Sequence, residues 1–94
     1  MAANSIFIDL SRVTTTEELH KALQEGFSFP DYYGGNLDAL HDCLTDIAEP
    51  TDVTFAGYKA AKKALKTDFY RFREVVEDSA FENNNLYIYW RRRK

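Results

Sequence analysis

Three short apolar segments, separated by longer segments with helical periodicity, are the feature that most constrains the fold of this chain. The strand-like segments are residues 5–10, 52–55 and 86–90. Parallel strands need long crossover connections, so strands separated by helical segments favour parallel pairing. The sequence therefore predicts an α/β fold with a three-stranded parallel sheet and about four packed helices. The nearly continuous apolar character of residues 5–10 predicts that this strand is buried on both faces.

The first two predicted helices each have a recognisable start. Thr15, with Glu18 three residues later, fits a capping box, and Gly26 is the expected stop of the first helix. Asn36 is a suitable N-cap for the second helix, which we expect to run to about Ala48.

The second half of the chain predicts two further helices. Residues 58–65 form a short lysine-rich helix, and Thr67 with Asp68 is expected to cap a longer one that continues to about residue 80. The buried side of the longer helix is predicted to carry Phe69, Phe72, Val76 and Ala80. These elements make one domain over residues 1–94, in which residues 91–94 are a basic tail.

Composition and charge exclude several classes of function. The 94 residues have a net charge of −3 and a single cysteine, which argue against general nucleic-acid binding and against a disulfide framework. The first residues lack the basic and apolar regions of a signal peptide, and no run approaches the ~18 apolar residues of a membrane span. We therefore expect a cytoplasmic protein that binds no cofactor, no nucleic acid and no membrane.

The negative charge is concentrated in one part of the sequence. Between Phe27 and Tyr58 there are six acidic residues and no lysine or arginine, so the total of −3 less this block's −6 leaves the rest of the chain at +3. The acids are Asp31, Asp38, Asp42, Asp46, Glu49 and Asp52. A block of one sign creates a local field that attracts a basic partner. The same block is also compatible with an ordinary solvated helix face.

The predicted helix that starts at Asn36 separates its polar residues from its apolar residues completely. At 100° per residue, one arc holds Asp38, His41, Asp42, Thr45, Asp46 and Glu49, and the opposite arc holds Leu37, Ala39, Leu40, Cys43, Leu44 and Ile47. Like charges four residues apart, and acids near a helix C-terminus, each cost roughly a few tenths of a kcal/mol. Stability alone would place a lysine in the polar arc, so its absence favours a functional interpretation.

The residues support binding better than catalysis. No serine lies in a nucleophile-elbow pattern, and His20 lies off the apolar stripe of its helix, where we expect it to face solvent. Asp38, His41 and Asp42 leave open a small metal-dependent enzyme, although such sites usually recruit ligands from other segments as well. An acidic helix face beside exposed tyrosines instead fits a cationic groove of the kind that binds phosphodiesters.

One stretch of this chain resembles a known family. Residues 30–45, Pro-Asp-Tyr-Tyr-Gly-Gly-Asn-Leu-Asp-Ala-Leu-His-Asp-Cys-Leu-Thr, resemble the signature of the barstar family, the intracellular inhibitors of barnase-type ribonucleases. Phe72-Arg73-Glu74 is a weaker second match, and the order of elements agrees over residues 6–90. The resemblance implies a barstar-like fold in which the second helix and the loop before it plug the active site of a ribonuclease.

The resemblance also implies which side chains contact that partner. They are Tyr32, Gly34, Asn36, Asp38, His41, Asp42, Thr45 and Glu74. Asp42 would occupy the phosphate-binding site of the nuclease, Asp38 would pair with a basic residue beside it, and Tyr32 would stack near the catalytic histidine. The glycine and the asparagine would make close backbone and polar contacts. Thr45 would lie at the edge, and Glu74 would add a peripheral charge pair from the last helix.

His41 departs from the family pattern, since this position often carries a large aromatic residue. The function that the resemblance implies is an inhibitor or immunity protein, an antitoxin to a secreted or toxin ribonuclease with a cationic active site. We expect a monomer that forms a 1:1 complex and has no catalytic residue and no metal ligand. The alternative is a binding module of the same fold whose basic partner belongs to another class, such as a nuclease toxin unlike barnase.

Overall fold

The three predicted strands form one parallel sheet in sequence order. In the computed structural model, which describes residues 4–93, the strands are β1 (Asn4–Asp9), β2 (Thr51–Ala56) and β3 (Leu86–Arg91). Their order is β1-β2-β3, and both pairs are parallel, so that Ile6, Val53 and Ile88 lie in one row. The predicted α/β fold with a three-stranded parallel sheet is therefore confirmed.

Four helices connect the strands, as predicted. They are α1 (Thr16–Phe27), α2 (Leu37–Thr45), α3 (Tyr58–Leu65) and α4 (Thr67–Glu82). The capping box of α1 is present, because the Thr15 hydroxyl accepts a hydrogen bond from the Glu18 backbone N–H at 3.1 Å and the Glu18 carboxylate accepts one from the Thr15 N–H at 3.2 Å. No described helix has both the length and the apolar character needed to cross a bilayer.

Several predicted helix ends are wrong by a few residues. Helix α1 passes Gly26 and is capped by Ser28, which takes the left-handed conformation with φ 58°. Helix α4 begins without a side-chain cap, because Lys66 precedes it with φ 54°. Phe69, Phe72 and Val76 are buried as predicted, but the fourth buried position of this helix is Ser79, and Ala80 is only partly buried. The Ser79 hydroxyl donates to the Val75 carbonyl at 2.7 Å, so its polar group is satisfied.

The core lies on one face of the sheet, so the expectation that β1 is buried on both faces is wrong. Ile8, Val53 and Phe55 are buried in a cluster with apolar side chains of all four helices. On the opposite face, Phe7, Tyr87 and Tyr89 are about half exposed. Alternate residues of a strand point to opposite faces, and the structure leaves one of these faces open to solvent.

The ends of the predicted domain are described only in part. Arg91, which we assigned to the basic tail, is the last residue of β3, and its guanidinium lies 5.9 Å from the centre of the Phe7 ring. Arg92 and Arg93 are exposed. Residues 1–3 and Lys94 lie outside the described residues.

Candidate protein-binding site

Helix α2 presents its acids to solvent because its leucines hold it to the core. Leu40 and Leu44 are fully buried, whereas Asp38 and Asp42 are exposed, and the Asp42 side chain retains 84% of its accessible surface. The predicted division into an apolar and a polar arc is therefore confirmed for residues 37–45. Two carboxylates one turn apart therefore stand on a helix whose opposite side is packed against the core.

The start of α2 is fixed by local backbone chemistry. Gly35 takes the left-handed conformation with φ 64°, and Asn36 follows as the N-cap. The Asn36 side-chain oxygen accepts a hydrogen bond from the Ala39 backbone N–H at 2.8 Å. This bond satisfies one of the N–H groups that a helix start leaves unpaired. Gly34 and Asn36 are exposed on the surface immediately before the acidic turn.

The two adjacent tyrosines of this loop have different roles. Tyr32 is 86% exposed, whereas Tyr33 is only 8% exposed. The Tyr33 hydroxyl lies 2.6 Å from His20 Nδ1, and its ring lies 5.0 Å from that of Phe29. Burial raises the pKa of the Tyr33 phenol and lowers the pKa of the His20 imidazole. The expectation that His20 faces solvent is wrong: it is half-buried, and it anchors the loop that displays Tyr32.

His41 links the acidic helix to the end of α4. Its Nε2 atom lies 2.5 Å from a carboxylate oxygen of Glu82, and its Nδ1 atom lies 3.9 Å from one of Asp42. The hydrogen bond with Glu82 raises the pKa of His41 most, burial opposes this rise, and the charges of Glu82, Asp42 and Asp78 add to it. Glu82 lies outside the acidic block between Phe27 and Tyr58, and the sequence pattern did not predict it as part of this face.

The acidic face extends from α2 onto α4. Glu74, Asp78 and Glu82 are spaced four residues apart, so they follow one another along the same side of α4. Glu82 contacts His41 directly, and Asp78 is close enough to influence its charge. Glu74, which we predicted as a partner-binding residue, is exposed at the far end of this row. The spacing of four was the sequence signal that could have identified the other two acids.

Helix α2 ends at Thr45 and not near Ala48 because side chains from the α4–β3 connection take its last carbonyls. The Asn83 amide donates to the carbonyl of Leu44, and the Asn85 amide donates to that of Ile47. Thr45 is half-buried, and its hydroxyl donates to the carbonyl of His41 at 2.9 Å. Asp46 and Glu49 therefore lie beyond the helix and outside its regular polar arc.

A cleft of about 530 Å³ lies beside the acidic face. Its lining includes Phe27, Phe29, Tyr32, Cys43, Asp46 and Ile47. Burial raises the pKa of the Cys43 thiol, and the neighbouring charges of Asp46 and Asp42 act in the same direction. Cys43 is a free, partly buried thiol with less thiolate character than an ordinary cysteine, as expected of a packing residue.

The acidic face is an exposed surface on a packed scaffold. In the part of the chain that the structure describes, no three His, Cys, Asp or Glu side chains gather in an arrangement that could hold a metal ion. The arrangement is an acidic helix on a small parallel α/β scaffold, flanked by one largely exposed tyrosine, and its charge is complementary to a cationic surface.

Comparison with known proteins identifies the family of this module. The model of the barstar family, described as barnase inhibitor, matches residues 3–90, so the chain belongs to the barstar family. A protein of Bacillus subtilis (strain 168) named "Putative ribonuclease inhibitor YrdF" is 55% identical over 78 residues, which cover 82% of this chain and 86% of that protein. The resemblance seen in residues 30–45 is therefore confirmed, and the family is one of inhibitors rather than enzymes.

Proposed function

We propose that this chain inhibits a ribonuclease by placing α2 and the loop before it in the active site of the enzyme. The observation that carries the proposal is the exposure of Asp38 and Asp42 on a helix whose opposite side is buried in the core. A ribonuclease binds the phosphodiesters of its substrate with cationic side chains. Two carboxylates at fixed positions can therefore take the place of two phosphates. The family assignment and the name of the relative support this role.

The proposed contacts follow from exposure and position. Asp42, an acid near the middle of α2 whose side chain is 84% exposed, enters the phosphate-binding site, and Asp38 pairs with a neighbouring cation one turn earlier. Tyr32 offers an almost fully exposed ring that can bury much area with few rotatable bonds. Gly34 and Asn36 contact the enzyme through backbone and amide groups, while Thr45 and Glu74 lie at the periphery.

Long-range electrostatics favour fast association. The block between Phe27 and Tyr58 contains six acids and no lysine or arginine, and its field attracts a positively charged active site before contact. Association with a cationic enzyme should therefore slow as salt is added. We further propose a barnase-like partner, a 1:1 complex with a monomeric inhibitor, and a cytoplasmic immunity or antitoxin role.

A pair of matched variants tests the proposal. In complexes of this kind, barnase–barstar itself among them, loss of one partner of a buried charge pair costs about 2–5 kcal/mol. We therefore expect Asp42→Ala to raise the Kd for a barnase-type ribonuclease by roughly 30-fold or more. Asp46→Ala, beyond the end of α2, should change Kd by less than about fivefold, because an exposed charge pair contributes little. Equal effects of the two variants, or failure of the purified protein to inhibit such an enzyme, would contradict the proposal.

His41 favours one alternative, a partner that is not closely related to barnase. An imidazole paired with Glu82 occupies a position where the family often has a large aromatic residue. In that case the protein would bind a different basic nuclease toxin through the same face. Purification of complexes from the source cell would identify the partner, and the reading frame next to this gene is the first place to look for a nuclease.

A further inference from the structure

We infer that His41 links ribonuclease binding to pH: in the free protein His41 holds a proton that it shares with Glu82, and a cation of the bound enzyme displaces that proton. This inference rests on the proposed function, since it concerns the same face. It adds Glu82 to the surface that meets the enzyme. It also assigns to His41 a role in selecting the partner.

The geometry places His41 among carboxylates from two helices. Its Nε2 atom is 2.5 Å from Glu82 of α4, and its Nδ1 atom is 3.9 Å from Asp42 of α2. Asp78, one turn before Glu82, adds a further negative charge. Among the described residues, these three are the groups whose charge acts on His41, and Asp38 lies one turn before it on the polar arc of α2. Each of the three stabilises the protonated imidazole.

Among the described residues, His41 is the cationic group that forms ion pairs with Asp42 and Glu82. Of the ion pairs in residues 4–93, those at Asp42 and Glu82 involve His41, and the third joins Arg73 to Glu77 elsewhere on α4. No lysine or arginine lies between Phe27 and Tyr58. In the free protein, therefore, Glu82 has His41 as its counter-ion, and in the complex a lysine or arginine of the enzyme can replace it.

The direction of the pH effect follows from these charges. The acids raise the pKa of His41 in the free protein, whereas the cationic groove of an enzyme acts in the opposite direction. The free protein thus holds more protons on His41 than the complex does, and binding releases a proton. Affinity should therefore rise with pH through the range in which free His41 titrates, by at most about tenfold per pH unit for one proton.

His41 is thereby also a residue that selects partners. A neutral aromatic side chain at this position would contact a cation or a carboxylate of the enzyme without any change of protonation. His41 favours an enzyme that brings a cation to Glu82. An enzyme with a carboxylate there would strengthen the protonation of His41, and its affinity would rise as pH falls. The sign of the pH dependence therefore reports the charge of the partner at this point.

Calorimetric titration of the full chain with a barnase-type ribonuclease at pH 6, 7 and 8 tests the inference. The binding enthalpy, measured in buffers of different ionisation enthalpy, gives the number of protons released. Protons released by the nuclease itself are common to all variants and cancel when the variants are compared. We expect the wild-type protein to release more protons than His41→Gln, and its Kd to fall more steeply with pH. Asp46→Asn removes a charge that does not contact His41, so this variant should keep the wild-type dependence of Kd on pH. Glu82→Gln should lower the pKa of His41 in the free protein, as followed by NMR of the imidazole.

The outcomes separate the two proposals. If the enzyme binds and is inhibited, but wild type and His41→Gln release the same number of protons, the role of His41 is wrong and the inhibitory function stands. Proton uptake attributable to His41 would overturn the inference in the same way. If no binding occurs at any pH, the proposed function fails, and the inference fails with it.

Discussion

The side-chain amide of Asn83 donates a hydrogen bond to the backbone carbonyl of Leu44 at 3.0 Å, and so joins the end of α4 to the end of α2. The same amide donates to the carbonyl of Ile47 at 3.0 Å. The last carbonyls of a helix have no partner within it. Here a buried asparagine from a distant segment supplies a donor at the C-terminal end of α2, as the Asn36 side chain supplies an acceptor at its N-terminal end.

Replacement of Asn83 should destabilise the fold. Asn83→Ala removes a buried side-chain donor to the Leu44 carbonyl and one of the two side-chain donors to the Ile47 carbonyl, and the loss of these bonds should cost about 1–3 kcal/mol. The exposed Asn84 provides a matched control, since Asn84→Ala should change the free energy of unfolding by less than about 0.5 kcal/mol. Urea unfolding followed by the fluorescence of the single tryptophan, Trp90, measures both. Similar values for the two variants would contradict the capping role of Asn83.

The hydroxyl of Tyr33 should contribute to stability, whereas that of Tyr32 should not. Tyr33→Phe removes the hydrogen bond to His20 Nδ1, and a loss of about 0.5–1.5 kcal/mol in the free energy of unfolding is expected. Tyr32→Phe changes an exposed ring and should leave unfolding unaltered. The same urea experiment compares them. An equal effect of both variants would show that the Tyr33–His20 hydrogen bond does not stabilise the loop.

His20 should make the protein less stable in mild acid. Burial lowers the pKa of His20 in the folded protein below the ordinary imidazole value of about 6.5. The unfolded chain therefore binds the proton more readily, and stability rises with pH. The contribution of neutral His20 to the free energy of unfolding is complete above about pH 6.5, and it is lost as the pH falls through the pKa of His20 in the folded protein.

The difference in unfolding free energy between wild type and His20→Gln isolates this effect. This difference should be constant above neutrality. As the pH is lowered towards 5, wild type should lose more unfolding free energy than His20→Gln does. A difference that does not change with pH, or one that shifts in favour of wild type in acid, would contradict the burial of neutral His20. Changes at His41 cancel in this comparison, because both proteins retain that residue.

Two glycines with the same backbone conformation should differ in their tolerance of alanine. Gly57 and Gly35 have φ of 67° and 64°, but a Cβ atom at Gly57 would lie 2.8 Å from Ser11 Cβ and 3.0 Å from the Ser11 backbone nitrogen. At Gly35 the nearest such atom is His20 Cβ, at 4.0 Å. Left-handed strain alone costs about 1–2 kcal/mol, and the clash at Gly57 adds roughly 1–3 kcal/mol. Thermal unfolding of Gly57→Ala and Gly35→Ala should show a clearly larger loss for Gly57→Ala.

The features that the sequence predicted correctly depend on neighbours along the chain. The capping box of Thr15 and Glu18, the N-cap at Asn36, and the two arcs of α2 are patterns that extend over three to nine residues. Strand and helix periodicities in the rest of the chain predicted the sheet and all four helices for the same reason. The exposure of Asp38 and Asp42 followed from these patterns, because the position of the leucines on a helix determines where the acids point. Their contacts with an enzyme stay predictions.

The tertiary structure alone decided how distant segments meet at this face. His41 contacts Glu82 across 41 positions, and Asn83 ends α2 from 39 positions away. No local pattern links such residues, because each pair is brought together only when α4 packs on α2. The separate environments of Tyr32 and Tyr33 have the same origin: two identical side chains differ because the fold buries one of them against His20. The sequence by itself thus determined that an acidic helix follows Asn36. The packing of α4 determined where that helix ends and which carboxylate, that of Glu82, pairs with His41.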